Sequence, residues 1–439
     1  MIDYSRQEYL IYELPVVSCV PTEGWEERTV HELTKVIGGG TPDTSVPAFW
    51  GGEIPWATPT DITKREGVFI SETERKLSPE GLKNSSATLL PVNSVLLTSR
   101  ATIGECRVNT VPMATNQGFA SLVPRDDVDP FFLYYLAHHL RPALCRLAAG
   151  TTYTEVSRRE VRKIQCLVPK RKEEQREIAA TLLAADEAIM RARAELEATR
   201  RLKTALLQQL FTRGISELHK QFRMTNIGLI PDKWEIQRIQ DSLAEPPFSG
   251  VSPPSRPDPP GTPILNVGCI KDGICDPTDV TYVDVDGQTF EACRARRGDF
   301  YVLRGNGNRE YVATGGLLMV EPNPACIFSD KLIRLRFNPD IVFDRFVPLM
   351  WQSHWFLRRL QSKAESGSGL WMISKRDIRR EFFARPERDE QEQIVEMISS
   401  VDNTITSLCR KLEALLQVKR SLLQSLLTGK VRVDTGTVK

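Results

Sequence analysis

Residues 389–431, DEQEQIVEMISSVDNTITSLCRKLEALLQVKRSLLQSLLTGKV, restate residues 173–215, EEQREIAATLLAADEAIMRARAELEATRRLKTALLQQLFTRGI, at a constant offset of 216. No gap is needed, and 14 of the 39 positions between Glu174 and Thr212 are identical. Among the matches are Glu174, Gln175, Asp186, Lys203 and Leu210, which recur as Glu390, Gln391, Asp402, Lys419 and Leu426. A repeat of this period divides the 439-residue chain into two halves, each ending in a long helix.

Apolar residues in the second copy alternate at spacings of three and four: Val401, Ile405, Leu408, Leu412, Leu415, Leu422 and Leu426. The first copy carries a weaker version through Ile189, Ala192, Leu196, Thr199, Leu206 and Leu210. Such a stripe must meet another helix. The polar interruption falls at Lys419 in one copy and at Lys203 in the other. Each helix would run about 60 Å at 1.5 Å per residue. Because a globular half separates the copies, an antiparallel pairing of the two is expected. Seven acids and seven bases in each of 173–213 and 389–439 mark solvated coiled-coil faces rather than polyanion-binding ones.

The segments upstream also correspond. Gly24-Trp25-Glu26 matches Lys233-Trp234-Glu235, and the apolar runs at 54–58, 95–100 and 119–123 match those at 262–266, 300–304 and 332–336. Helical segments are expected at 131–147 and 342–360, each followed by a small-residue loop. Ser157 with Glu160, and Ser374 with Asp377, read as helix-capping pairs. Short β-branched and aromatic runs among Gly, Asn and Pro indicate an irregular α+β domain. The Pro-rich stretch 245–263 reads as an extended loop, as do Gly38-Gly39-Gly40 and Gly305-Asn306-Gly307-Asn308. The expected organisation is a first globular domain at 1–172 (with 1–20 as an N-terminal segment), a helical spacer at 173–215, and a second domain with its linker at 216–388. A second spacer at 389–430 and a tail at 431–439 complete it.

The net charge of +2 names no partner, but its distribution does. Residues 157–172 hold seven Lys or Arg against one acid, and residues 374–388 hold six against three. Both clusters sit just before a long helix. Two equivalent basic patches suggest two contacts with one polyanion, whose phosphates Lys and Arg neutralise. Nine scattered cysteines without a C-x-x-C, and five histidines without ligand spacing, point to reduced thiols, structural histidines and no metal. No apolar stretch reaches membrane-span length and the N-terminus lacks a basic region before an apolar core, so a cytoplasmic chain is expected. No P-loop, no amino-methyltransferase tetrapeptide and no nucleophile–base set is present.

In order along the chain stand GWEERTVHEL, GGGTPDTS, GGEIPWATPTDI, LLTSRATIGECRV, ATNQGFASLVP and GTTYTEVSRREVRKIQCLVPKRKEEQREI. The second half repeats the series as VLRGNGN, IFSDKLIRLRF, SGSGLWMISKRDI and DEQEQIVEMI, with a proline-rich stretch where GGGTP stood. This duplicated series resembles the specificity subunit of Type I restriction–modification systems over nearly the full length. The resemblance implies two tandem α+β target recognition domains, each followed by a long helix, with the helices paired as an antiparallel coiled coil. It implies a non-catalytic subunit that binds a bipartite site on double-stranded DNA, its helices serving as a ruler between the half-sites. It implies two adenine methyltransferase subunits and motor/nuclease subunits as partners, which would carry S-adenosylmethionine, ATP and Mg²⁺. A coiled-coil structural adaptor that binds no DNA is the other reading of the repeat; the basic clusters argue against it.

Arg to guanine and Asn or Gln to adenine are the usual bidentate readers. The candidate DNA contacts in the first domain are therefore Ser99, Arg100, Thr102, Asn116, Gln117, Thr151, Thr152, Tyr153, Arg158 and Arg159. In the second they are Arg304, Asn306, Asn308, Arg309, Ser329, Lys331, Ser368, Trp371, Lys375 and Arg376.

Overall fold

The computed structural model describes residues 23–149, 155–367 and 369–433. It mixes helix and sheet and divides into two compact units. The first comprises the described parts of 2–195 and 408–439, the second residues 196–407. Each unit therefore contains one globular half, the start of the helix that follows it, and the end of the other helix. Among the described residues no helix is long and apolar enough to cross a membrane.

The long helices span Lys172–Arg213 (42 residues) and Arg388–Leu426 (39 residues). In the first unit Asp186 pairs with Lys419 at 2.6 Å and Glu195 with Lys411 at 3.4 Å. Beyond the end of the second helix, Arg432 reaches Glu174 at 2.8 Å. Residue numbers rise on one helix as they fall on the other, so the pairing is antiparallel. The second unit shows the same sense: Lys203 meets Asp402 at 2.7 Å, and the Ile215 amide donates to Glu390. The polar interruptions of the seam are thus one reciprocal ion pair used twice.

The buried face differs slightly from the expected seam. Leu207, Leu416 and Leu423 are buried, whereas Leu206, Leu415 and Leu422 are only partly so. A straight helix drifts from a 3.5-residue repeat, and these helices also serve globular cores. Leu207, Leu210 and Phe211 join Trp234, Phe346, Ile394 and Ile398 in the second unit's main cluster. Full burial of each such side chain contributes about 1.5–3 kcal/mol.

Identical residues clamp each globular half to its helix. Trp25 Nε1 donates to Glu174 at 3.1 Å, and Trp234 Nε1 donates to Glu390 at 2.9 Å. Glu174 is also held by Arg432, and Glu390 by His219 at 2.7 Å. Gln175 accepts from the Asp129 amide while Gln391 accepts from the Phe343 amide, at 2.8 Å in both cases. Glu174 and Glu390 are buried, and a buried carboxylate persists only where such donors satisfy it.

The sheets show the duplication more completely than the residues do. In the first half the strand order is Thr34–Gly38, Ala120–Pro124, Val95–Leu97, Cys106–Asn109, Phe69–Ile70. In the second it is Phe248–Ser249, Leu332–Leu335, Phe300–Leu303, Gly315–Leu317, Ile274–Cys275, with Ile270–Lys271 added at the edge. Registers coincide: Val95 faces Val108 as Phe300 faces Leu317, and Gly38 faces Ala120 as Ser249 faces Ile333. In a second sheet Trp50–Ala57 runs parallel to Ala114–Thr115, as Thr262–Leu265 runs parallel to Ile327–Phe328. An antiparallel pair, Trp25–Thr29 with Gln165–Pro169 or Glu235–Arg238 with Phe382–Arg385, closes each half.

Several local expectations change. The apolar segment near 131–147 is two helices, Pro130–His139 and Arg141–Ala149, and its counterpart is Phe346–Trp351 and His354–Ser362. The stretch 245–263 contains the strands Phe248–Ser249 and Ser255–Arg256. Gly305–Asn306 is a short strand paired with Leu370–Met372 rather than a free loop.

Candidate nucleic-acid interface

Four backbone hydrogen bonds gather separated loops into one cluster in the first half. Gly40 N–H donates to Thr115 O at 2.9 Å, and Asn116 N–H to Ala57 O at 3.0 Å. Ser99 N–H donates to Gly118 O, and Val156 N–H to Ser99 O, both at 2.9 Å. The same four bonds recur in the second half. They run from Val251 to Phe328 at 3.2 Å, Ser329 to Leu265 at 3.0 Å, Arg304 to Lys331 at 2.8 Å and Ile373 to Arg304 at 2.8 Å.

This correspondence sets the register between the halves. Ser99 matches Arg304, Asn116 matches Ser329, Gln117 matches Asp330 and Gly118 matches Lys331. Arg100 and Arg304, which sequence alignment places close together, are one position apart in structure. Gly39 matches Gly250, so GGGTP at 38–42 has its counterpart in SGVSP at 249–253. A Cβ on Gly39 would lie 2.1 Å from Thr115 O, and one on Gly250 1.9 Å from Phe328 O. Only glycine allows the neighbouring strand so near. Prolines surround that shared glycine in the second half and mask the correspondence in sequence, so Thr41, Ser252 and Asp330 carry no signal of their own there.

In the first half the turn after Val95–Leu97 is tight, with Ala101 in the left-handed region at φ 64°. Ser99 is buried, while Arg100 is exposed and its Nε lies 3.1 Å from Glu155. Thr102 Oγ1 is buried and has no hydrogen-bond partner among the described residues. Asn116 Oδ1 accepts from the Gly118 amide at 2.9 Å, which is turn chemistry. Gln117 is exposed, and its Oε1 accepts from Thr41 Oγ1 at 2.5 Å. Arg158 and Arg159 are exposed on the first turn of Arg158–Lys163, which Ser157 caps. Thr151, Thr152 and Tyr153 lie outside the described residues.

In the second half Arg304 is partly exposed and Lys331 exposed. Asn306 Oδ1 accepts from the Asn308 amide, and Asn308 caps Arg309–Tyr311; both side chains serve the turn. Arg309 donates to Gln361 O and stands 4.8 Å above the Trp371 ring, so these two candidates are joined. Ser329 is buried with no partner for its Oγ among the described residues. Lys375 and Arg376 are exposed at the start of Lys375–Arg380, capped by Ser374 and Asp377. Ser368 lies outside the described residues.

Charge is sorted by this arrangement. Arg334 on the inner strand Leu332–Leu335 and Arg336 just beyond its end are bound by Glu245, and Arg336 also by Asp299. Hydrogen bonding to Asp299 raises the Arg336 pKa above its ordinary value, and burial pushes the Tyr301 hydroxyl well up. Those groups are internal. Arg158, Arg159, Arg304, Lys331, Lys375 and Arg376 pair with no carboxylate among the described residues and remain available to an external anion. No group of His, Cys, Asp or Glu among the described residues could hold a metal ion.

Residues 22–198 match the Type I restriction modification DNA specificity domain. The chain is 32% identical over 237 residues to the Type I restriction enzyme MjaIX specificity subunit of Methanocaldococcus jannaschii, covering 53% of this chain and 54% of that one. It thus spans about half the length of that relative. Against the MjaVIII specificity subunit of the same organism the identity is 22% over 418 residues, 94% of each chain. The crystal structure of the Type-I restriction-modification system S subunit from M. genitalium shares the fold, with a TM-score of 0.56 at 14% identity over 94% of this chain and 98% of that one. Residues 22–198 thus carry a Type I restriction modification DNA specificity domain, and along nearly its whole length the chain is similar to Type I restriction enzyme specificity subunits.

Proposed function

We propose that this chain is the DNA-recognition subunit of a Type I restriction–modification enzyme and carries no catalytic machinery of its own. Each globular half docks on one block of a bipartite duplex site, and the paired helices set the spacer between the blocks. The observation that carries the reading is the four-bond constellation, repeated in both halves. It collects polar side chains on one loop cluster in each, bordered by Arg158 and Arg159 or by Lys375 and Arg376. Basic side chains hold the phosphates and set register, and the polar loop residues face base edges. An adaptor joining proteins through its coiled coil alone would have no use for that recurrence.

The partners in this reading are two adenine methyltransferase subunits and the motor/nuclease subunits. S-adenosylmethionine, ATP and Mg²⁺ belong to those subunits. The target adenine must leave the base stack to be modified, so the bound DNA is distorted. A long-read map of methylated adenines tests the proposal in cells carrying the chain and its methyltransferase, against cells lacking only the chain. A two-block motif that disappears with the chain is the expected result. An unchanged map would overturn it.

A further inference from the structure

Gln117 and Asp330 occupy the same place in the two halves, one residue after the amide that anchors on Ala57 O or Leu265 O. Their chemistry differs, and the difference bears on what each half reads. This inference rests on the DNA-recognition reading above. We infer that Gln117 reads an adenine in one block of the site and that Asp330, beside Arg304, reads the cytosine of a G·C pair in the other.

Asp330 is the more telling of the two. It follows Ser329 and precedes Lys331, whose carbonyl anchors Arg304. Its main-chain N–H is spent on Val251 O at 3.0 Å. Its carboxylate caps no helix and binds no cation among the described residues; Oδ1 is buried without a hydrogen-bond partner there, and the residue is partly exposed, which leaves Oδ2 as the oxygen open to a ligand. Turn chemistry, which accounts for Asn306 and Asn308, does not account for Asp330. A carboxylate on a cationic loop cluster repels phosphate, so the backbone is not its ligand. Among base edges in the major groove it matches the cytosine N4 amine, while the Arg304 fork matches guanine O6 and N7. Arg304 follows the strand Phe300–Leu303 and Asp330 stands two residues before its partner Leu332–Leu335, and the Arg304–Lys331 bond joins the two turns, so adjacent loops offer an acceptor and a donor set.

Gln117 carries no charge and is exposed. The Thr41 hydroxyl donates to its Oε1, which holds the amide in one orientation. That oxygen keeps a second lone pair, and Nε2 keeps both hydrogens. An oriented amide with one acceptor and one donor free is the complement of adenine N6 and N7. Thr41 is a positioning residue here, and Ser252 stands at its place in the second half.

The test is the methylated-adenine map of the complete enzyme carrying Asp330→Asn or Gln117→Glu. Each exchange alters charge while keeping shape. Asp330→Asn is expected to shift one position of one block from cytosine towards adenine, changing preference there about tenfold, with the other block and the spacer unaltered. Gln117→Glu is expected to shift one position of the other block towards cytosine by a similar factor. Thr41→Val should blunt discrimination at that same position without moving it. The wild-type motif retained by both charge-changing variants would overturn the inference. So would uniformly lower methylation with no change of motif in variants that melt at the wild-type temperature. A wild-type map without any chain-dependent motif would instead sink the recognition reading, and this inference with it.

Discussion

Lys419 is bound to Asp186 across the helix pair at 2.6 Å, and the pair is almost enclosed, with the lysine side chain 5% exposed and the aspartate 14%. Asp186 also accepts from the Tyr135 hydroxyl at 2.6 Å, which ties the ion pair to the first globular half. Its mirror is Lys203 with Asp402, more open at 18% and 28%. A polar pair inside an apolar seam fixes register and orientation more than it adds stability. Lys419→Met strands an enclosed carboxylate and should destabilise the first unit by about 3 kcal/mol. Lys203→Met should cost about 1 kcal/mol, because solvent screens Asp402. Denaturant unfolding of the two variants measures both, and equal losses would contradict the asymmetry.

Gly39→Ala and Gly250→Ala should each destabilise their own half by about 1–3 kcal/mol, the usual cost of overpacking a close contact. Both added carbons point at a neighbouring strand's carbonyl. The expected functional consequence is loss of recognition at one block only. Wild-type stability together with normal methylation would show that the approach of these strands is not needed.

Arg304→Ala should weaken recognition of its block at least tenfold, consistent with about 1–3 kcal/mol for a bidentate base contact. Arg100→Ala should weaken the other block less, because the Arg100 guanidinium is already engaged by Glu155. Competitive binding to duplexes altered in one block at a time gives both values. Unchanged affinity and methylation for both variants would remove these turns from the interface.

The exposed basic residues at the two helix starts should act through salt. Replacing Arg158 and Arg159 together, or Lys375 and Arg376 together, with alanine should weaken binding to all duplex sequences alike. The slope of log affinity against log salt should fall by about one for each phosphate left without its cation. A change in the recognised motif instead would make these residues base readers.

Deleting one heptad near Leu412 removes about 10 Å of helix at 1.5 Å per residue and breaks the Lys419–Asp186 register. The original bipartite site should no longer be methylated, although no residue of the loop clusters has changed. Normal methylation at that site would refute the ruler role of the helices.

The helices and their caps are legible in the order of residues alone. The repeat predicts two long helices, the equal placement of Lys203 and Lys419 marks a shared polar slot, and Ser157 and Ser374 announce the caps of the short helices Arg158–Lys163 and Lys375–Arg380 that precede them. These are local signals: period, offset and capping need only neighbours within a few residues. The depth of the seam is less legible, since Leu207, Leu416 and Leu423 are buried partly by side chains far away in sequence.

The loop cluster lies on the other side of that divide. Sequence alone determined that this chain is a tandem α+β duplication with two long antiparallel helices and two basic patches, because repetition and charge are written in order along the chain. It did not determine that Arg304 stands where Ser99 does, that Gly250 repeats Gly39, or that Asp330 is the counterpart of Gln117. The halves differ in loop length, so the offset between them drifts, and only hydrogen bonds between distant strands restore the register. Tertiary structure decided which side chains share a surface, since that depends on strand pairing across long separations and not on spacing along the chain.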